Sequence, residues 1–232
     1  MLFADGIKDV LENPKSLFFE LTDEEKKELQ HHVTFSKYRR NEMVFHEGDK
    51  PTGFLMLVKG KVKIVKEGVG GREQIIRMSK APGVIGYRAI FAEENHIASA
   101  VTIEESTIAN IDLDFIFQTA MKNADFSLQV IRRMARELGF SNARTVALTQ
   151  KHIRGRLAES LILLSKKYGF ENDGTTLKVY ISREDIANLS NMTTSNAIRT
   201  LSAFANETII AIDGRKIKIV DLKRLEWISK LG

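Results

Sequence analysis

The segment Thr193-Thr194-Ser195-Asn196-Ala197-Ile198-Arg199 crowds three hydroxyls, a carboxamide and a guanidinium into two helical turns. These are the side chains that hydrogen-bond to base edges and phosphate oxygens, and arginine paired to guanine is the commonest specific major-groove contact. Downstream, Arg215-Lys216-Ile217-Lys218 gathers three cations in a short basic stretch, placed to touch phosphates. These groups bind rather than react. The sequence offers no nucleophile–base pair, no metal-ligating cluster and no phosphate loop, and Gly68-Val69-Gly70-Gly71 reads as a hairpin turn.

The elements that must carry these groups are legible around them. Val179-Tyr180-Ile181 reads as a short strand, and Ser182 caps a helix over Arg183–Ser190 with Asp185 completing the box. Asn191 suits a left-handed turn, Met192 buries, and Thr193 caps a second helix running past Leu201. That is a helix-turn-helix, whose second helix enters the major groove. Thr208–Ile212 and Arg215–Val220 around Asp213-Gly214 form a hairpin with a type I′ turn, a basic wing. The DNA-contacting candidates are Arg183, Thr193, Thr194, Ser195, Asn196, Arg199, Arg215, Lys216 and Lys218. The charge balance agrees: residues 151–232 hold 14 Lys+Arg against 9 Asp+Glu, while the first 150 hold 21 of each. The whole +5 excess therefore sits in the last third, where a phosphate-binding module needs it.

The 232 residues suit one large or two ordinary domains. No run approaches the ~18 apolar residues of a membrane span. Met1-Leu2-Phe3-Ala4-Asp5-Gly6 lacks the features of a signal peptide, so a cytoplasmic location is expected and no membrane partner. With no cysteine, disulfides and cysteine-ligated iron–sulfur clusters have no ligands.

Residues 1–32 read as short helices, with Thr22-Asp23-Glu24-Glu25 a capping box. From Val33 to about Asn110 come short strands, at Met43–Phe45, Phe54–Val58, Val62–Val65, Gln74–Met78 and Ile97–Val101, separated by glycine turns. That spacing predicts an antiparallel sandwich or barrel. Residues 125–150 predict a long helix in which Ile131, Met134, Leu138, Ser141, Thr145 and Leu148 repeat in steps of three and four, an a/d seam for self-association, the alternative being the apolar stripe of a helix packing on its own domain. A helix over His152–Tyr168 stops at Gly169, placed for a left-handed C-terminus.

Taken in order, these segments resemble the CRP/FNR superfamily of bacterial regulators. The resemblance rests on Phe45-His46-Glu47-Gly48-Asp49, Gly53-Phe54, Val58-Lys59-Gly60-Lys61-Val62, Met134-Ala135-Arg136-Glu137-Leu138 and Ser182-Arg183-Glu184-Asp185-Ile186-Ala187. It implies an α+β chain: a double-stranded β-helix or jelly-roll sensor over residues 1–124, a dimerisation helix and hinge over 125–150, and a winged helix-turn-helix over 151–232. It also implies a homodimer on palindromic double-stranded DNA, with RNA polymerase as a further partner and effector binding reorienting the DNA domains through a hinge at Thr149–His152.

The resemblance implies an effector pocket at Ile85, Gly86, Tyr87, Arg88, Ile97, Ala98 and Ser99, with Ser141 and Asn142 from the long helix. Tyr87 stands where cAMP-binding members carry the ribose-binding glutamate, and Ile97 where they carry the phosphate-binding arginine. Isoleucine cannot make a charge-assisted phosphate contact, so cAMP is not the expected effector, and the sensor is left to another small molecule or a stress signal. Haem through His46, His96, His152 or a methionine stays open, as does a nucleotide- or haem-responsive module acting on a protein partner.

Overall fold

The computed structural model describes Lys8 and residues 10–232, so the reading made of Met1–Gly6 lies outside the described residues. The chain divides into two compact units, one ending at Leu138 and the other starting at Gly139.

In the first unit α1 (Asp23–Leu29) has its capping box formed as expected: Thr22 Oγ1 accepts from Glu25 N–H at 3.2 Å and the Glu25 carboxylate accepts from Thr22 N–H at 2.8 Å. Eight strands follow: β1 (Val33–Tyr38), β2 (Met43–Phe45), β3 (Phe54–Lys59), β4 (Lys61–Glu67), β5 (Glu73–Lys80), β6 (Gly83–Ile85), β7 (Ser99–Thr102) and β8 (Ser106–Ile111). They form two antiparallel four-stranded sheets, β1-β8-β3-β6 and β2-β7-β4-β5, the jelly roll that the spaced turns predict. Alternation along each strand fills the space between the sheets with Phe45, Leu57, Val62, Ile85, Ala100 and Ile108. On the outer face of the first sheet Phe54, Met56, Ala109 and Ile111 pack under Phe18, Leu29, Phe115 and Phe126. Those residues bring in α1, α3 (Leu113–Lys122) and the start of α4 (Ala124–Gln150), after the short α2 (Tyr87–Phe91).

The expected strand at Ile97–Val101 is shorter at its start. Gly48 N–H donates to the carbonyl of His96 at 2.7 Å and His96 N–H to that of Asp49 at 2.9 Å. This takes the backbone into a loop, so pairing begins at Ser99 and Ile97 is left 49 % exposed.

The second unit holds the end of α4, then α5 (Ile153–Tyr168), α6 (Arg183–Leu189), α7 (Thr194–Asn206), the hairpin β9 (Ile210–Asp213) and β10 (Lys216–Ile219), and α8 (Leu222–Leu231). Its core is Leu157, Leu161, Ile186, Leu189, Leu201, Phe204, Ile217 and Leu225, all buried. Gly169 ends α5 with φ +75 but ψ −161, a region open essentially to glycine alone rather than the left-handed helical cap expected. Val179–Ile181 is not a strand: the nearby pairing is made earlier, by the bridges Phe170↔Leu177 and Thr176↔Lys218, while Val179 and Ile181 simply bury.

The hairpin also differs from its prediction. Thr208 does not join β9 but adopts φ +55 just beyond α7. Asp213 pairs with Lys216, so the two turn residues are Gly214 and Arg215. Only Gly214 has positive φ, the sign pattern of a type II′ turn rather than type I′.

Candidate functional site

The helix-turn-helix is built by its caps. Ser182 Oγ accepts from Asp185 N–H at 2.9 Å, and the Asp185 carboxylate accepts from Ser182 N–H at 3.2 Å, starting α6. Asn191 turns the chain with φ +49, Met192 is 3 % exposed, and Thr193 Oγ1 accepts from Asn196 N–H at 3.3 Å to start α7. Ala197, Thr200, Leu201 and Phe204 face inward, which leaves Thr194, Ser195, Ile198, Arg199 and Ser202 exposed. Ile198 and Ser202 were absent from the sequence-based set. The i, i+4, i+8 spacing from Thr194 marks them, and an exposed isoleucine at 46 % is the apolar kind of group that touches a thymine methyl.

Arg199 donates to Asn196 Oδ1 at 2.7 Å, so both are pre-oriented on the solvent face of α7. The C-terminal end of α7 is fixed by a clamp: Arg154 donates two hydrogen bonds to Glu207 at 2.8 and 2.9 Å, and Arg224 adds a third at 3.2 Å. Arg154, first by its hydrogen bonds, holds the Glu207 carboxyl below its ordinary range. Arg144, buried near the end of α4, donates to the carbonyl of Leu189, the last residue of α6, where a cation complements the free carbonyls. Sequence reasoning missed this arginine because it lies between the seam positions Ser141 and Thr145, which were all that was read from this stretch.

The basic candidates divide into two groups. Arg183 donates to the Gly214 carbonyl at 2.8 Å and so braces the wing against α6, with burial lowering its pKa. Lys218 lies 3.4 Å from Asp173, whose carboxylate also accepts from Thr175 and Thr176 and is held well below the usual range, chiefly by the Thr176 hydroxyl. Arg215 and Lys216 are exposed at the wing, with no partner among the described residues.

In the sensor, Gly86 caps α2 with φ +71, and a Cβ there would lie 2.8 Å from His96 and 3.1 Å from Phe45. Those two rings stack with centroids 3.8 Å apart and cover the glycine. Tyr87 is 2 % exposed, and its hydroxyl donates to Glu137, an acceptor shared with Arg77 and Arg133. Burial, then the Glu137 hydrogen bond, pushes the Tyr87 phenol above its ordinary range. Arg88 is paired to Glu94 at 2.7 Å, Ile85 and Ala98 are buried, and Ser99 Oγ accepts from Glu47 N–H at 2.9 Å. Ser141 and Asn142 are exposed on the part of α4 that belongs to the other unit. The expected effector groups are thus largely occupied by the protein itself, and Ile97 does not join them. A cavity of about 400 Å³ in the sensor is instead lined by Phe45 and His96 from a side that includes none of the expected residues.

Glu137 is the shared acceptor of the Tyr87–Arg77–Arg133 group, and its removal leaves a buried hydroxyl and two cations unpaired. Because it is a quarter exposed, the cost of Glu137→Ala is about 1–2 kcal/mol rather than that of a deep ion pair. The melting temperature should fall by roughly 2–8 °C. Calorimetry showing an unchanged midpoint would mean that the network is not held in solution.

Of the three histidines considered for haem, His96 is buried against Phe45, and His46 and His152 are exposed, His152 as the residue preceding α5. No group of three His, Asp or Glu side chains converges among the described residues. No helix there is long and apolar enough to cross a membrane.

Comparison with known proteins agrees with this geometry. A cyclic nucleotide-binding domain model matches residues 35–123, and a Crp-like helix-turn-helix domain model matches residues 155–228. A CRP-like cAMP-activated global transcriptional regulator of Mycobacterium tuberculosis is 27 % identical over 189 residues, covering 81 % of this chain and 84 % of its own. The anaerobic regulatory protein of Haemophilus influenzae is 24 % identical over 209 residues, covering 89 % and 81 %. The structure of FixK2 from Bradyrhizobium japonicum superposes with a TM-score of 0.75 at 22 % identity, over 84 % of this chain and 96 % of its own, which shows the fold. With a nucleotide-binding-type jelly roll followed by a Crp-like helix-turn-helix, the chain belongs to the CRP/FNR family of transcription regulators.

Proposed function

We propose that this protein is a homodimeric, cytoplasmic transcription regulator that binds a palindromic operator and acts with RNA polymerase, under the control of an effector other than cAMP sensed by the jelly roll. The observation that carries the effector reading is the occupation of the expected site: Tyr87 is spent on Glu137, Arg88 on Glu94, and Ile97 supplies no charge. The mycobacterial relative is named as cAMP-activated, and a nucleotide phosphate there would need a cation that this site does not present. The DNA reading rests on the exposed face of α7 beside the unpaired Arg215 and Lys216. Effector binding would bias a two-state dimer, with Thr149–His152 as the hinge that reorients the two recognition helices onto half-sites ~34 Å apart.

Two measurements on the full chain test this. Gel shifts with fragments of the source genome should give discrete, competitor-resistant complexes. Calorimetry should show no cAMP binding up to millimolar concentration. Micromolar affinity for cAMP would overturn the effector reading and point to Arg88 as the replacement phosphate ligand, testable by Arg88→Ala.

A further inference from the structure

The cavity of about 400 Å³ lies at one end of the jelly roll, on the inner face of β1, β3 and β8 and beside β2. Its size falls in the range of small-ligand sites. Leu55 and Ile108 give it an apolar wall, and His96, Asn110 and Lys50 are among its polar lining residues. His96 is only 7 % exposed, yet neither imidazole nitrogen has a hydrogen-bond partner among the described residues. Burial, the largest influence on it, lowers its pKa, so the ring is neutral near pH 7 and presents one donor and one acceptor. The Oδ1 of Asn110 is buried over Gly53 with no hydrogen bond, and a Cβ on Gly53 would come within 1.7 Å of it, so this position must be glycine for the carboxamide to sit there. A buried polar atom left unpaired costs about 1–3 kcal/mol, and such atoms in native proteins tend to have a use. Lys50 stands exposed at the mouth with no ion pair among the described residues, whereas the neighbouring Asp49 carboxylate already accepts from His46 N–H at 2.8 Å.

We propose that this cleft is the ligand site of the sensor and takes a small organic acid: its carboxylate at Lys50, its apolar body against Leu55 and Ile108, and a hydrogen bond to His96. This deepens the effector-controlled reading above and rests on it for the consequence of binding, but not for binding itself. The consequence has a physical route, because the Phe45–His96 stack that walls the cleft also covers Gly86, the residue before Tyr87. A ligand that displaces His96 therefore bears on the backbone whose tyrosine holds Glu137 of α4.

The test uses benzoate as probe and the full-length protein without DNA, so that a failure of the DNA reading cannot be mistaken for a failure of this one. The imidazole Cε1–H resonance of His96, identified by its loss in His96→Gln, should shift and saturate at low-millimolar benzoate. Lys50→Gln, a surface change that touches no core residue, should weaken binding at least tenfold, and uncharged benzyl alcohol should bind at least tenfold more weakly than benzoate. A resonance unmoved by tens of millimolar benzoate overturns the proposal. So does equal affinity in Lys50→Gln, or a loss seen with Arg88→Ala instead, which would put the anion beside α2.

Discussion

Replacing Ile131 and Leu138 together by lysine should give a protein that sediments as a folded monomer near 26 kDa and has lost at least a hundredfold in operator affinity. The two side chains are 61 % and 63 % exposed and lie seven residues apart on one stripe of α4. Burying an isoleucine or leucine contributes about 1.5–3 kcal/mol, and a two-fold interface counts each residue twice. Lysines would in addition face one another across the two-fold axis. Loss of the dimer removes the linked second half-site, which is the source of the affinity loss. Met134, which lies between them in the proposed seam, is a poorer choice: it is half-buried and packs against the sensor's own core, so a lysine there would damage the sensor as well. If the Ile131→Lys, Leu138→Lys variant still sediments as a dimer, the seam lies on another face of α4 or in another element.

Met134 illustrates what the sequence could and could not convey. Its spacing fits a heptad, but a period of three and four does not say whether an apolar residue meets its own domain or a second copy. The caps were legible because a cap is a contact between residues three apart: Thr22, Ser182 and Thr193 all accept the hydrogen bond their position predicts. Asn191 was legible for the same local reason. Tertiary hydrogen bonds were not. The exchange between Gly48, Asp49 and His96 that pulls Ile97 out of the sheet joins segments far apart in sequence, and so does the Tyr87–Glu137 contact that fills the expected effector site. The type of the wing turn depended on one residue of register, with Asp213 paired rather than turning. The last helix, α8, went unread although Asp221 caps it and Leu225 and Ile228 give it an inward face.

The wing and the recognition helix should fail in different ways. Arg199→Ala should cost ~1–3 kcal/mol on the operator and little on random DNA, because a guanidinium against a base edge carries sequence information. The hydrogen bond from Arg199 to Asn196 Oδ1 makes the pair a unit, so Asn196→Ala should reproduce part of that loss by freeing the arginine. Lys216→Ala, on a wing strand with no protein partner to release, should weaken operator and random DNA alike and lower the salt slope by about one counterion per half-site. Lys218→Ala should change the salt slope less, because Asp173 already screens that ammonium at 3.4 Å. Thr194 and Ser195, short and uncharged, should each contribute less than Arg199. These comparisons need operator and non-operator affinities for every variant across several salt concentrations. An Arg199→Ala protein that loses both affinities equally would make the arginine a phosphate clamp. Specificity would then lie with Thr194, Ser195, the exposed Ile198 or the shape of the DNA.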